Sequence, residues 1–277
     1  MTLGEVLSAT TDYLARKGVD TPRLDAELIL AHAFSLSRLQ LYTDFDRPLN
    51  EKERSEARAL VERRGRREPL AYVLGEWGFR RLTLKTDARA LVPRPETEIV
   101  VERALARIVG IAAPAVVDVG TGSGAIGLSI VDEHPGARVT AIDLSADALA
   151  LARENAERLG LELELIEADL LVGIDGPFDL VVSNPPYVTA AELPGLQAEV
   201  RDWEPRGAVV GDRETEQLAR DARRVIRPGG WIVLECHEGH AAGVAAMLAD
   251  LGYLEVVITR DLAGRERVVE ATWAPTL

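Results

Sequence analysis

The 277-residue sequence predicts an α/β protein in two parts: a small N-terminal helical bundle joined by a β-hairpin to an open, mostly parallel seven-stranded sheet with helices on both faces. Three observations predict it. Apolar residues recur at helical spacing over 1–76, the period shortens to that of strands over 77–93, and from 94 to 277 strand-length apolar runs alternate with helix-length ones, as in successive βα units.

In the first part the stripes Leu3, Val6, Leu7, Tyr13, Leu14 and Leu24, Leu28, Ala31 mark helices, with few β-branched runs between them. Thr21 before Pro22 reads as one helix start, and Pro48-Leu49-Asn50 before Glu51 as another. In the hairpin, Phe79, Leu82 and Leu84 form one strand and Ala90-Leu91-Val92 a second, about a polar turn near Asp87. The sheet strands are expected at Ala115–Val119, Arg138–Asp143, Leu163–Glu167, Phe178–Ser183 and Trp231–Cys236, with helices at Ala146–Leu159 and Thr215–Ile226. Leu254–Thr259 and Arg267–Trp273 close the chain as an antiparallel edge.

Composition narrows the function classes. Hydrophobic residues at 47% with charged residues at 28% give a folded globular chain rather than a disordered one. No apolar run approaches the roughly 18 residues of a membrane span, and Met1–Leu14 carries Glu5 and Asp12 where a secretion signal needs positive charge. No membrane partner is expected, and the expected location is cytoplasmic. The lone Cys236 fits a reducing compartment. The net charge is −13; residues 1–81 hold 14 Lys and Arg against 13 Asp and Glu, leaving 18 against 32 for the rest. So acidic a second part argues against gripping phosphates, hence against direct nucleic-acid binding.

Val116-Val117-Asp118-Val119 runs into Gly120-Thr121-Gly122-Ser123-Gly124, a buried strand followed by a glycine turn and a helix start. The G-x-G-x-G spacing differs from the dinucleotide fingerprint, and taken alone it also fits a plain strand-to-helix turn. A second strand ends at Asp143, where a carboxylate can accept both hydroxyls of a ribose. Pyrophosphate would prefer positive charge here. A ligand with a sulfonium and an ammonium, such as S-adenosylmethionine, tolerates the acids; Asp118 then orients the turn or meets the amino acid part. Asp169 and Leu170, after the third strand, are candidates for the adenine amino group and ring, with ordinary turn chemistry as the competing reading.

Ser183 precedes Asn184-Pro185-Pro186-Tyr187 at the end of another apolar strand. The prolines remove two N–H donors, leaving the Asn184 side-chain oxygen and the Pro185 carbonyl as acceptors beside the flat Tyr187. This complements a planar NH2 group. An amide nitrogen is a poor nucleophile, and the loop holds no His or Lys to act as base. Catalysis would rest on acceptor bonds that strengthen in the transition state and on in-line positioning, the latter contributing about 7–11 kcal/mol. The rival enzyme is a nucleic-acid adenine N6-methyltransferase, whose base amino group fits the same loop; a non-catalytic cofactor-binding regulator would need only the glycine turn.

These residues, with 68–75 (Glu-Pro-Leu-Ala-Tyr-Val-Leu-Gly), 91–98, 199–205 and 261–269, resemble the HemK/PrmC family. The resemblance implies a Rossmann-like class I methyltransferase domain over 94–277, a substrate-recognition bundle over 1–76 and a hairpin linker over 77–93. It implies transfer of methyl from S-adenosyl-L-methionine, leaving S-adenosyl-L-homocysteine, to the N5 nitrogen of the glutamine in the Gly-Gly-Gln motif of peptide chain release factors by a monomeric enzyme. The cofactor would lie at Gly120–Gly124, Asp143 and Leu170, with the glutamine at Asn184–Tyr187. Arg94–Glu98, including Glu96 and Thr97, separates this family from the ribosomal-protein glutamine methyltransferases, the alternative within the fold; it is read as a lid over the cofactor, with a proline-started helix entry as the competing reading. The chain departs from the family pattern at Val210–Thr215 and at Leu234-Glu235-Cys236-His237.

Cys236, His237 and His240 lack a fourth ligand, and no metal is expected. The basic run Lys52, Arg54, Arg58, Arg63, Arg64, Arg66, Arg67 reads as a solvated helix face or as a docking surface for an acidic release factor.

Overall fold

The structure, a computed structural model, describes residues 1–211 and 213–274. Its elements run α1 (Leu3–Arg16), α2 (Pro22–Phe34), α3 (Arg38–Thr43), α4 (Glu51–Gly65), α5 (Leu70–Leu74), β1 (Glu76–Phe79), β2 (Leu82–Lys85), α6 (Thr97–Ile108), β3 (Ala115–Val119), α7 (Ala125–Glu133), β4 (Arg138–Asp143) and α8 (Ala146–Leu159). There follow β5 (Glu164–Glu167), β6 (Phe178–Ser183), α9 (Ala198–Trp203), α10 (Arg206–Val209), α11 (Glu214–Val225), β7 (Ile226–Glu235), α12 (Ala241–Asp250), β8 (Leu254–Arg260) and β9 (Glu266–Trp273). Two compact units result: Met1–Glu76 with Gln197–Trp203, and Trp77–Leu196 with the chain from Glu204 onward.

In the helical unit, capping fixes where helices begin. Thr2 with Glu5, Ser37 with Gln40, and Asn50 with Glu53 form reciprocal capping boxes at α1, α3 and α4, each satisfying two amides that have no partner within the helix. Pro22 opens α2, while the Thr21 hydroxyl donates to Asp25 Oδ1 at 2.7 Å instead of capping. Leu3, Leu7, Leu14, Ile29, Leu30 and Leu41 are fully buried in one cluster. A buried ion pair sits beside it: Arg64 meets Asp25 at 2.6 Å and Glu199 of α9 at 2.8 Å, and Arg67 meets Glu199 at 2.6 Å. The basic run is therefore not one face. Arg64 is buried, Arg63 and Arg67 are paired with Glu68 and Glu199, and Arg58 and Arg66 are exposed.

The second unit carries a seven-stranded sheet of order β5-β4-β3-β6-β7-β9-β8. All pairings are parallel except β7 with β9 and β8 with β9, which are antiparallel. The chain leaves β3 toward β4 and β5, then returns to β6 on the other side of β3. A crevice opens where the order reverses, outside the carboxyl ends of β3 and β6. Val117, Val181, Ile232 and Leu234 on one face and Val116, Leu180, Val182 and Val233 on the other are fully buried, as expected for strands covered on both sides.

Three elements differ from the sequence expectation. The hairpin turns at Arg80 and Arg81, Arg80 taking φ 51°, and closes by Lys85. The expected second strand at Ala90–Val92 is irregular chain. Arg89 binds both Asp87 and Glu154 of α8, and Ala90 packs against Ala148 and Leu151, while Pro93 and Pro95 offer no N–H to a ladder. β7 starts at Ile226, ahead of the expected Trp231, and crosses Pro228-Gly229-Gly230 through an irregular register with β6. Asp212 of the Val210–Thr215 run lies outside the described residues.

Candidate active site

Asp118 organises the turn that leaves β3. Its Oδ2 accepts from the Thr121 hydroxyl at 2.7 Å and from Gly127 N at 3.0 Å, tying the turn to the first residues of α7. Gly120 N and Thr121 N both donate to Ile142 O, at 2.8 and 2.9 Å, fastening the turn to β4. Ser123 is buried, and its carbonyl accepts from Asn155 Nδ2 at 2.9 Å. Gly124 has φ +84°, and a Cβ there would lie 2.9 Å from Leu128 Cδ1, so this position needs glycine on two counts.

Asp118 is fully buried, and its second oxygen, Oδ1, has no hydrogen-bond partner among the described residues. Burial pushes the carboxyl up to about 6; the bonds from Thr121 and Gly127 oppose the rise, and the Asp143 charge adds to it. Asp143 accepts from Gly122 N through Oδ2 and from Ser145 N through Oδ1, both at 2.9 Å. A carboxylate has about four acceptor sites, so two remain for a ligand. Asp169 is exposed, and Leu170 is half-buried with φ 50°; they follow Ala168, whose N–H donates to Asp143 O at 3.1 Å.

The acceptor loop continues from β6. A Cβ built on Gly120 would come 4.0 Å from the Asn184 carbonyl oxygen, so glycine turn and acceptor loop border one crevice. Ser183 Oγ donates to Val119 O at 2.7 Å, joining the strand ends that carry them. Pro185 is buried; Asn184, Pro186 and Tyr187 are half-buried. Asn184 Nδ2 donates to Thr97 Oγ1 at 3.2 Å, while among the described residues no donor reaches Asn184 Oδ1 or the Pro185 carbonyl. The Tyr187 hydroxyl donates to Glu235 Oε1 at 3.4 Å, and burial, then the Glu235 charge, raises its pKa.

Arg94–Glu98 leads into α6 and is fastened on both sides. Arg94 Nη2 donates to both oxygens of the buried Glu204, at 2.6 and 2.8 Å, and Glu96 accepts from Arg265 at 3.1 Å. Thr97 is buried. The Glu96 and Thr97 side chains are thus engaged with the protein itself.

Sequence reasoning missed Glu235. It ends β7 almost fully buried, its Oε2 without a partner among the described residues, and burial pushes it up to about 7 against the pull of Thr97, Arg267 and Tyr187. The available signal was an acid closing the apolar run Trp231-Ile232-Val233-Leu234 at a carboxyl strand end. Cys236 is buried while His237 and His240 are exposed, and among the described residues no group of three or more His, Cys, Asp or Glu could hold a metal.

A parallel sheet with one antiparallel edge hairpin, a glycine turn after the strand at the switch point and an acid closing the next strand define a class I S-adenosylmethionine-dependent methyltransferase. Comparisons agree. Residues 5–75 match the PrmC N-terminal domain family and residues 97–197 the methyltransferase small domain family. The release factor glutamine methyltransferase of Geobacter sulfurreducens is 41% identical over 273 residues, covering 97% of this chain and 95% of its own. That of Chlorobaculum tepidum is 42% identical over 272 residues, covering 93% and 92%. The 16S rRNA N2 methyltransferase of T. thermophilus, solved in complex with AdoMet and guanosine, shares the fold with a TM-score of 0.52 at 19% identity, over 71% of this chain and 49% of that one. The chain belongs to the release factor glutamine methyltransferase family.

Proposed function

We propose that this protein transfers a methyl group from S-adenosylmethionine to the side-chain N5 nitrogen of the glutamine in the Gly-Gly-Gln motif of a peptide chain release factor. The observation that carries the reading is the shared crevice: the Asn184 carbonyl lies 4.0 Å from the Cβ position of Gly120, so acceptor loop and glycine turn face one space. The residues present fit the cofactor. Among the described residues Asp118 Oδ1 and Glu235 Oε2 are buried acceptors lacking partners, which suits a cationic ligand, and Asp143 keeps acceptor capacity for paired hydroxyls.

When bound, S-adenosylmethionine supplies an electrophilic methyl group on sulfur. The protein's part is positioning. Asn184 Oδ1 and the Pro185 carbonyl accept the two N–H bonds of the glutamine amide, Pro186 keeps the loop stiff, and Tyr187 walls the amide plane. As the nitrogen becomes positive, both acceptor bonds strengthen, so they stabilise the transition state more than the ground state. Gly120, Thr121, Gly122, Ser123 and Gly124, with Asp118, Asp143, Asp169 and Leu170, form the cofactor side.

The division of labour follows: 1–76 for recognition of the protein substrate, 77–93 as connector, 94–277 for chemistry, in a monomeric cytoplasmic protein that binds no nucleic acid directly. No helix among the described residues is long and apolar enough to cross a membrane. Docking through the basic run is tested at Arg58 and Arg66, which are exposed; reversal at the buried Arg64 would test folding instead. The R58E/R66E variant is expected to raise the Michaelis constant for the release factor and leave that for the cofactor unchanged.

Methyl-labelled cofactor with a release factor, its Gln-to-Ala variant at the Gly-Gly-Gln motif, and DNA provides the assay. Label is expected on the unmodified release factor only. Label on DNA alone overturns the reading.

A further inference from the structure

Two histidines stand beside the acceptor loop without a part in its chemistry. Ser183 pairs with Leu234 in the register of β6 with β7, so the chain leaves both strands at one edge of the sheet. From β6 it enters Asn184–Tyr187. From β7, just past Glu235, it enters a turn over 236–240, closed by the His240 N–H donating to His237 O at 3.0 Å. Neighbouring strands lie about 4.8 Å apart, which makes this turn the acceptor loop's immediate neighbour.

The two segments touch through rings. The centroids of Tyr187 and His237 are 5.9 Å apart and those of His237 and His240 5.4 Å, within the range of favourable ring contacts. Successive ring planes are tilted by 56° and 53°. Tyr187 is half-buried whereas both histidines are exposed, so the row runs from the site outward. His237 is also held in orientation. Its Nδ1 lies 2.7 Å from Glu238 O, and a carbonyl only accepts. The proton therefore sits on Nδ1, and the neutral ring presents its lone pair at Nε2.

A row of tilted rings selects what can lie along it. A side chain on the passing segment would hold its backbone off the ring faces, and the segment must bend where one ring gives way to the next. Glycine meets both demands, having no Cβ and reaching conformations closed to other residues. Peptide planes then contact the rings directly, and an N–H can be offered to Nε2. In the proposed substrate the residues next to the methylated glutamine are two glycines. With the glutamine amide at Asn184 and Pro185, a segment leaving along this row meets His237 first and His240 next.

We propose that Tyr187, His237 and His240 form a continuous row of rings that receives the Gly-Gly backbone of the release factor, with His237 selecting glycine over residues that bear a side chain. The proposal rests on the functional reading for the identity of its partner and adds the source of its specificity. His237 lies in the stretch where this chain departs from the family pattern, which fits a contribution to substrate affinity rather than to methyl transfer itself.

The test uses the full chain with S-adenosylmethionine, a release factor, and the same factor with both motif glycines replaced by alanine. His237→Ala should raise the Michaelis constant for the release factor about 3- to 10-fold, and H237A/H240A about 10- to 30-fold, with kcat and the cofactor Kd within about twofold. His237→Phe, which keeps a ring and loses the nitrogen, should lose less than H237A. Alanine in the substrate should lower kcat/KM of the wild type about fivefold more than that of H237A/H240A, since a row already removed cannot be lost again. The chain has four histidines, so the imidazole resonances of His237 and His240 are assigned by their loss in H237A and H240A. Release factor added with S-adenosylhomocysteine should move both and leave that of His134, which precedes β4 at the opposite edge of the sheet. An unchanged Michaelis constant in the double variant, a loss confined to kcat or cofactor affinity, or an equal alanine penalty in wild type and double variant would overturn the proposal. If the wild-type protein labels no release factor, the functional reading fails, and the resonances decide: signals of His237 and His240 unmoved by the factor sink the row as its binding surface, moved signals retain it.

Discussion

The glycine turn and the acceptor loop border the same crevice but are held in opposite ways. The turn is fixed by neighbours close in sequence: Asp118 binds Thr121 and Gly127, and Asp143 binds Gly122 and Ser145. The acceptor loop is fixed from afar, by Thr97 and Glu235, and in the strip that carries Thr97 the neighbouring Arg94 is fastened to Glu204 and Glu96 to Arg265. The turn is held by its own βα unit and by the strand and helix that follow, β4 and α8, whereas the loop depends on segments much farther apart in the chain.

That contrast can be broken most forcefully at Asn184. Replacement by alanine removes an acceptor used in the transition state, and an effect of about 100- to 1,000-fold on kcat is expected with cofactor affinity retained, measured by single-turnover methylation and calorimetry. A comparable loss of cofactor affinity would mean that loop and turn are one site rather than two.

Glu235→Gln probes the remote support through stability. The folded carboxyl holds its proton up to about pH 7 while the unfolded one releases it near 4.5. Folding therefore binds a proton in that window, and native stability falls as pH rises through it. E235Q should be more stable than wild type by up to about 3 kcal/mol at pH 8 and equal to it at pH 4, by denaturant unfolding at both values. A destabilised variant at pH 8 would show that the carboxylate contributes more through Tyr187, Thr97 and Arg267 than its burial costs.

Smaller effects belong to the locally built turn. Gly124→Ala introduces a side chain at φ +84° against Leu128 and should cost about 1–3 kcal/mol, with weakened cofactor binding on titration. Ser145→Ala removes the N-cap of α8, where Ser145 Oγ accepts from Ala148 N at 3.2 Å, and should cost about 1 kcal/mol in thermal or chemical unfolding.

The same contrast decides what was legible in the sequence. Val116–Val119 running into glycines, with an acid closing the next strand, is a local pattern, and the sheet strands stood out because apolar runs buried on both faces need no partner to be recognised. The Asn-Pro-Pro-Tyr loop was visible for the same reason. Contacts spanning 87 residues, from Thr97 to Asn184, leave no mark in a local window. Nor do those from Arg94 to Glu204, 110 residues apart. The apolar Ala90–Val92 misled as a strand because burial against α8 selects apolar residues as a sheet does. Arg64 looked like solvated charge because Asp25 and Glu199, its partners, come from other helices.

The lone thiol offers a consequence of a practical kind. Cys236 directly follows Glu235, it is buried, and its pKa is driven up to about 11, first by that burial and then by the Glu235 charge. An alkylating reagent at neutral pH finds almost no thiolate and no route to it, so the folded enzyme should ignore the reagent, and each modified molecule would record one excursion in which the tail of β7 came loose.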